Sequence, residues 1–217
     1  MKVEPIRNKR DIYEIEDRLF SLQTARGERM FLMFEVGIFL GMRIGDMLQM
    51  KVGDIRGKES YTFTPQKTDT HVVNGVQSVN YRPKVLTVTI PPELRKVVSE
   101  ICADRSDQEP LFTAGRRDRG GYLRPLDRTT AYRDMKEIGR VAGLQMNIGC
   151  HTLRKTFGYH LYKKNHDVAW LQNWFQHSSP AVTMVYIGIA DDEKKVVTDH
   201  MPFENRSRFD WKARKQA

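Results

Sequence analysis

The sequence is poor in the features that mark secreted, disulfide-bonded and membrane-spanning proteins. Its two cysteines, Cys102 and Cys150, form neither a disulfide framework nor the clustered pattern of a zinc site. The longest apolar run, residues 31–42, is too short to span a bilayer and contains Glu35. Residues 1–19 lack the apolar segment of a signal peptide. These absences predict a cytoplasmic protein with no membrane segment.

The chain has an excess of basic residues, which predicts a polyanionic partner. Its formal net charge is +9 and its pI is about 9.6. Residues 151–165 carry basic side chains and no acid, and residues 205–217 carry five basic residues against one aspartate. Arginines also recur between residues 115 and 140. Nucleic acid is therefore the predicted partner, and the alternative is a basic surface that only aids solubility.

Hydrophobic periodicity predicts a mainly helical chain with one small antiparallel β-sheet, an α+β fold. The predicted strands are residues 61–65 and 85–91, and residues 52–58 could add a third. The connection 66–84 is long for a hairpin and is expected to be ordered only with a ligand, and 105–126 is expected to be a polar loop. The predicted helices cover residues 10–24, 27–40, a short segment from Arg43 to near Lys51, a segment starting at Pro92, 127–143 with Asp127 as N-cap, 151–165 and 168–175.

The stretch "FQHSSPAVTMVY" contains a break between two helices. Ser179 is a good N-cap and Pro180 a good first helical residue, so a new helix is predicted from residue 180 to about 189. In one continuous helix His177 and Tyr186 would lie on opposite faces. The break allows the two side chains to converge.

Taken one at a time, the candidate residues for chemistry also have ordinary structural interpretations. Asp46 lies one turn after Arg43 and could orient its guanidinium, or the two could form a structural ion pair. His151 and Arg154 lie one turn apart on one helix face and could exchange a proton and bind phosphate oxygens. Tyr186 could equally belong to the core. Core packing is the interpretation for the neighbouring aromatic residues Trp170, Trp174 and Phe175.

Taken together, these segments resemble the tyrosine recombinase (phage integrase) family over residues 10–190. The first arginine box is similar to "GMRIGDMLQMKVGDI", the His-x-x-Arg box to "GCHTLRKTFGYHL", and the nucleophile segment to "WLQNWFQHSSPAVTMVYIGI". The resemblance implies a tyrosine recombinase catalytic-domain fold. The catalytic residues that it implies are Arg43, His151, Arg154, His177, Tyr186 and a lysine in a β-turn, for which Lys67 is the choice and Lys84 the alternative.

The resemblance also implies how these residues would cleave DNA. Arg43 and Arg154 would hold the non-bridging phosphate oxygens, and His177 would donate a further hydrogen bond. His151 would help to ionise Tyr186, whose ordinary pKa makes it a poor nucleophile at neutral pH. The lysine would protonate the departing 5′ oxygen.

The product implied is a 3′-phosphotyrosyl enzyme, formed without metal, cofactor or ATP. The implied partner is double-stranded DNA, bound by a homotetramer during recombination, in the cytoplasm or on the nucleoid. Further DNA contacts are predicted for the basic residues Lys155, Arg116, Arg117, Arg128 and Lys163.

The sequence departs from the family pattern in three places. Gln176 stands where the family usually has glycine before the histidine, and the turn that holds Lys67 is long. Residues 1–190 are expected to form the catalytic domain without the N-terminal DNA-gripping domain, as a fragment or as a natural catalytic domain. Residues 191–217 form a tail that would dock onto a neighbouring subunit or pack within its own chain.

Two other functions remain open at this stage. A type IB topoisomerase uses similar chemistry as a monomer, although the short "HTLRKTF" and "HSS…Y" boxes favour a recombinase. The other is an inactive integrase-like protein that binds DNA and regulates a neighbouring element. An acceptable residue at every proposed catalytic position argues against this decay.

Overall fold

A computed structural model describes residues 3–66, 72–73, 76–77, 85–143 and 147–190. Helices dominate it, as the sequence predicts. The helices are α1 (Lys9–Phe20), α2 (Ala25–Leu40), α3 (Ile44–Met47), α4 (Pro92–Ile101), α5 (Arg128–Ala142), α6 (Cys150–Asn165), α7 (Val168–Phe175) and α8 (Pro180–Ile187). The strands are β1 (Ser60–Phe63), β2 (Val72–Val73), β3 (Val76–Gln77), β4 (Leu86–Thr89), β5 (Thr113–Arg117) and β6 (Leu123–Pro125).

Helix α2 lies at the centre of the core because it is apolar on nearly every side. It packs against α1, α4 and α6. It approaches α6 at two glycines, since a Cβ at Gly37 would meet Leu153 and one at Gly41 would meet Phe157. Gly41 also ends α2 in the left-handed conformation, with φ of 60°. This close approach places the segment after α2 beside the first turns of α6.

The two clear strands pair as predicted, but the sheet prediction was wrong elsewhere. Strands β1 and β4 are antiparallel, with Ser60 opposite Thr89 and Phe63 opposite Leu86. The proposed third strand is a 3-10 turn, Val52–Asp54, because the Asp54 carboxylate accepts the Lys51 backbone N–H at 2.8 Å and bends the chain locally. Strands β2 and β3 form a second antiparallel pair in the connection between β1 and β4.

The predicted loop 105–126 contains the hairpin β5–β6. Its turn is fixed by Asp118, whose Oδ1 accepts the backbone N–H groups of Gly120 at 2.9 Å and Tyr122 at 3.0 Å. Gly121 supplies the positive φ, 81°, that this turn requires. The strand residues are mostly exposed and rich in arginine, so they lack the alternating pattern that predicts a strand.

Several predicted helix ends are confirmed by their capping bonds. The Asp127 side chain accepts the Thr130 N–H at 2.8 Å, and Ser179 accepts the Val182 N–H at 3.2 Å ahead of Pro180. Helix α1 ends at Phe20, earlier than predicted, because Thr24 caps α2. No helix in the described ranges is long and apolar enough to cross a membrane.

Glu35 of α2 is an acidic residue buried in the core, where it is 4% exposed. Burial, and then the negative charge of Glu16 on α1, raise the pKa of Glu35 from 4.5 to about 8. Its Oε1 atom forms no hydrogen bond with the described part of the chain. Glu35 is therefore protonated at neutral pH.

Glu35→Gln is expected to remove a pH dependence of folding. The folded protein holds a proton on Glu35 that the unfolded chain releases above the ordinary carboxyl pKa, so stability falls as pH rises from about 4.5 to about 8. Urea unfolding should show that the wild type loses roughly 2–4 kcal/mol across this range and that Glu35→Gln loses little. Glu28→Gln, at an exposed position on the same helix, is the control and should titrate like the wild type. An equal loss in Glu35→Gln would contradict the assignment.

Candidate active site

The geometry of the site centres on a hydrogen bond between a histidine and a tyrosine from different helices. Nδ1 of His151, in the first turn of α6, lies 3.1 Å from Oη of Tyr186, in the last turn of α8. His177 also converges on Tyr186, with ring centroids 4.9 Å apart. The break at Ser179 and Pro180 therefore brings together the two residues that a continuous helix would separate.

Arg154 is buried in the site, and its guanidinium is fixed by two contacts. It lies one turn after His151 on α6 and is 5% exposed. Its Nη1 donates to the Gly41 carbonyl at 2.7 Å, and its guanidinium lies 4.3 Å from the centroid of the Phe175 ring. Its Nη2 is buried and forms no hydrogen bond with the described residues. Burial is the main cause that lowers the Arg154 pKa from 12.5 to about 10, so the group remains charged.

Arg43 approaches the same aromatic residue from another side. It precedes α3 in an extended conformation, and its Nη2 donates to the Phe175 carbonyl at 3.1 Å. The hydrogen bonds of the described residues do not join Arg43 to Asp46, and the orienting role of Asp46 stays a prediction. Asp46 instead accepts the Gln66 N–H at 2.9 Å. The guanidinium points to α7 because Arg43 lies ahead of the helix rather than on its face.

His177 follows α7 directly and is fixed at its backbone and ring. Its N–H donates to the Gln172 carbonyl at 3.0 Å, and its carbonyl accepts from Gln172 Nε2 at 3.2 Å. Its Nδ1 lies 3.0 Å from the Thr183 hydroxyl on α8. Burial, then the positive charges of Arg154 and Arg43, lower the His177 pKa to about 4, so its ring is neutral at physiological pH.

Two opposing effects act on the pKa of the Tyr186 phenol. Burial raises the pKa of its phenol, whereas the positive charges of Arg154 and Arg43 lower it. The free site therefore keeps the phenol neutral. The two arginines already provide the field that a phenolate or a phosphate would need.

A cleft of about 590 Å³ opens beside this cluster. Two hydrogen bonds link residues that line the cleft. The amide oxygen of Gln66 accepts from Arg128 Nη2 at 2.9 Å, and the Gln66 N–H donates to Asp46. These bonds connect α3, α5 and the end of the β1 segment, and place Arg128 at the cleft. The lining residues are Arg43, Ile44, Gly45, Asp46, Gln66, Arg128, Tyr132, Cys150 and His151.

The other basic residues predicted to contact DNA differ in their positions. Lys155 is 7% exposed and its Nζ lies 5.2 Å from the centroid of the Tyr186 ring, so it is not on the open surface. Lys163 lies about 18 Å beyond His151 along α6, near the Tyr159 ring. Arg116 and Arg117 are exposed on β5. Of this set, the structure brings only Arg128 and Lys155 to the site.

Some predictions lie outside the described residues, and one about the core was wrong. Lys67, Lys84 and the tail 191–217 are not among the residues that the structure describes.

Trp170 is 42% exposed rather than buried, although it stacks on Trp174 with ring centroids 5.7 Å apart. A tryptophan can stack on a second one and still have its other face in solvent. The apolar pattern of α7 does not distinguish such a residue from a buried one.

The sequence reasoning missed the roles of Thr183 and Phe175. Phe175 was interpreted as packing alone, yet it contacts Arg154, Tyr186 and, through its carbonyl, Arg43. Thr183 is completely buried and bonds to His177. The only sequence signal was that Thr183 lies one turn before Tyr186, inside the helix predicted from the Ser179 break.

Gln176, where the resemblance expects glycine, adopts a left-handed backbone conformation. Its φ is 55° and ψ is 45°, at the C-terminal end of α7. Both polar atoms of its amide are buried and form no hydrogen bond with the described residues. A left-handed conformation costs a non-glycine residue about 1–2 kcal/mol.

Gln176→Gly is expected to stabilise the protein by about 1 kcal/mol or more, because it removes backbone strain and an unsatisfied amide. Urea unfolding monitored by circular dichroism measures the gain. His166→Gly is a matched control, since His166 has φ of 53° at the end of α6 and an exposed side chain. It should gain less than Gln176→Gly. An equal or smaller gain at Gln176 would show that the amide is not costly.

Comparison with known proteins identifies the family of this chain. A sequence model of the phage integrase family matches residues 13–193, and the chain belongs to that family. The probable integrase/recombinase YoeC of Bacillus subtilis strain 168 is 35% identical over 190 residues, which cover 88% of this chain and 92% of YoeC.

Solved structures show the same fold. The crystal structure of XerA recombinase superposes with a TM-score of 0.65 at 21% identity, over 93% of this chain and 64% of that one. The catalytic domain of bacteriophage HP1 integrase gives a TM-score of 0.55 at 19% identity, over 95% of this chain and 99% of that domain. A lambda integrase dimer bound to a COC′ core site gives 0.55 at 20% identity, over 86% of this chain and 60% of that one. The chain thus spans less than two thirds of the XerA and lambda integrase structures.

Proposed function

We propose that this chain cleaves and rejoins DNA strands in site-specific recombination, with Tyr186 as the nucleophile. The phenol oxygen would attack a backbone phosphorus, and the bond to the 5′ oxygen would break. The products are a 3′-phosphotyrosyl bond and a free 5′ hydroxyl, and reversal on a new 5′ hydroxyl rejoins the strand. The single observation that supports this most is the 3.1 Å contact between His151 Nδ1 and Tyr186 Oη beside Arg154.

His151 would accept the phenol proton as attack begins. It meets the distance requirement for a general base in the free protein. Burial raises the Tyr186 pKa, so ionisation has to be coupled to attack rather than precede it. The charges of Arg154 and Arg43 would stabilise the phenolate as it forms.

Arg154 would bind a non-bridging phosphate oxygen. Its Nη2 is buried at the site and unpaired within the described residues, while Nη1 is already held by Gly41. Arg43 and His177 would complete the phosphate site, since both are fixed beside Phe175 and Tyr186. A fixed set of donors stabilises developing charge without reorganising.

The leaving 5′ oxygen requires a proton, and the resemblance assigns this role to Lys67, with Lys84 as the alternative. Neither metal nor ATP is required by the proposal, because the phosphotyrosyl bond retains the energy of the phosphodiester. The proposed partner is double-stranded DNA, bound by a homotetramer in the cytoplasm. The lambda integrase complex on a core site and the net charge of +9 support DNA as the partner.

A library of nicked duplexes with a randomised core tests the proposal. The nick releases a short 5′-hydroxyl fragment after attack, so cleaved strands stay covalently attached to the protein and can be isolated on a denaturing gel and sequenced. The expected result is an adduct on a defined subset of cores, formed in the presence of a chelator and without ATP. Absence of any adduct while the protein still binds duplex DNA would favour the inactive regulator. Relaxation of supercoiled plasmid at a rate proportional to monomer concentration would favour a topoisomerase. The names of the relatives favour a recombinase instead.

A further inference from the structure

Thr183 occupies a buried position between the two helices that carry His177 and Tyr186. It is 0% exposed, and its hydroxyl lies 3.0 Å from His177 Nδ1. The same hydroxyl lies 3.3 Å from the Ser179 carbonyl, one turn earlier on α8. A hydroxyl has one proton, so it can donate to only one of these two acceptors at a time.

The choice of acceptor fixes the protonation of the histidine ring. If Thr183 donates to Nδ1, the neutral ring carries its proton on Nε2. If Thr183 donates to Ser179, Nδ1 must carry the proton and Nε2 becomes an acceptor. An Nε2 acceptor would repel a phosphate oxygen, whereas an Nε2–H would bind it.

Distance favours donation to Nδ1. The Thr183 hydroxyl lies 3.0 Å from Nδ1 and 3.3 Å from the Ser179 carbonyl. Gln172 holds the His177 backbone through two hydrogen bonds, which keeps the ring beside Thr183. Burial and the charges of Arg154 and Arg43 lower the His177 pKa and keep the ring neutral. A neutral ring has one N–H, so the tautomer decides whether Nε2 can donate.

We propose that Thr183 is a positioning residue that selects the Nε2–H tautomer of His177 and so makes it a hydrogen-bond donor to the phosphate. The consequence for cleavage rests on the proposed function. The tautomer itself is a property of the free protein and can be measured without DNA.

The direct test is the ring ¹⁵N spectrum of His177 in the free protein at neutral pH, assigned with His177→Gln. The wild type is expected to show a protonated Nε2 and an unprotonated, hydrogen-bonded Nδ1. Thr183→Val keeps the shape of the side chain and removes the hydroxyl, and should shift His177 toward a tautomer mixture. Thr183→Ser should restore the wild-type pattern. A wild-type Nδ1–H ring, or a His177 spectrum unchanged by Thr183→Val, would overturn the proposal.

Thr156→Val is the matched control for buried structure. Thr156 is also buried in a helix, and its hydroxyl donates to the Thr152 carbonyl at 2.8 Å, one turn earlier. Its replacement should lower stability and leave the His177 spectrum unchanged. If Thr183→Val does not fold, the wild-type and Thr183→Ser spectra still decide which nitrogen carries the proton.

Single-turnover cleavage of a nicked duplex selected from the library tests the catalytic consequence. Thr183→Val should slow cleavage by about 10- to 100-fold with little change in DNA affinity, and Thr183→Ser should recover most of the rate. In a His177→Ala background, Thr183→Val should cause little further loss, because its effect acts through His177. An undiminished further loss would indicate a structural role. Failure of the wild type to form any adduct would remove the proposed function but would leave the tautomer result standing.

Discussion

Tyr186→Phe is expected to abolish the covalent protein–DNA adduct while leaving the protein folded. The phenylalanine keeps the ring contacts with His177, at 4.9 Å, and with Phe175, at 5.3 Å. It loses the hydroxyl, which contacts His151 at 3.1 Å and also interacts with Arg154. Removal of the nucleophile itself should reduce cleavage by more than about 10⁴-fold. Denaturing gels of reactions with nicked duplexes measure the adduct, and thermal unfolding measures the fold.

Tyr162→Phe is the matched control for this prediction. Tyr162 is a half-buried tyrosine on α6 whose ring meets His166 rather than the catalytic cluster. It should form the adduct at the wild-type rate. An adduct that survives Tyr186→Phe would require a different nucleophile and would overturn the assignment of the site.

Arg154→Met is expected to change stability and cleavage in opposite directions. Burial of the guanidinium lowers its pKa from 12.5 to about 10, which corresponds to a penalty of roughly 3 kcal/mol on the charged form in the folded state. The hydrogen bond to Gly41 and the contact with Phe175 offset part of it. Methionine has a similar length and no charge, so the free energy of unfolding should rise by about 1 kcal/mol. Cleavage should fall by about 10³-fold or more, because a donor to the phosphate is lost.

Urea unfolding and single-turnover cleavage measure the two effects on the same samples. Arg140→Met is the control, because Arg140 is exposed and, among the described residues, forms its ion pair with Glu137 on its own helix. It should change neither quantity by more than a small amount. A marked loss of stability in Arg154→Met would show that the arginine holds α6 to Gly41 more strongly than burial opposes it. Unchanged cleavage would remove Arg154 from the phosphate site.

The sequence predicted those parts of the fold that local chemistry determines. Asp127 and Ser179 cap their helices through their own side chains, so a short segment contains the whole signal. The exposed arginine-rich hairpin β5–β6 was missed because it is fixed by turn geometry around Asp118 rather than by a buried face. Residues 52–58 looked like a strand because β-branched residues favour one, but the Asp54 carboxylate bound the backbone instead.

The candidate site follows the same division. The sequence identified His151, Arg154 and Tyr186 as candidates, and the break before α8 explained how His177 could join them. It did not predict that Lys155 would be buried against Tyr186, since its charge pattern reads as surface. Contacts such as Gln66 with Arg128 join segments far apart in the chain, so no local pattern encodes them. The catalytic lysine remains a prediction between Lys67 and Lys84.

The stacked tryptophans of α7 provide an optical reporter beside the catalytic histidine. Trp170 and Trp174 stack at 5.7 Å with an interplanar angle of 18°, and Trp174 also meets Phe63 of β1 edge-on at 6.2 Å. The whole sequence contains three tryptophans, and the third is Trp211. In a Trp211→Phe protein, all indole emission would therefore come from the helix that leads into His177. Any displacement of that helix on binding DNA would change the colour and intensity of this emission in real time, without an added dye.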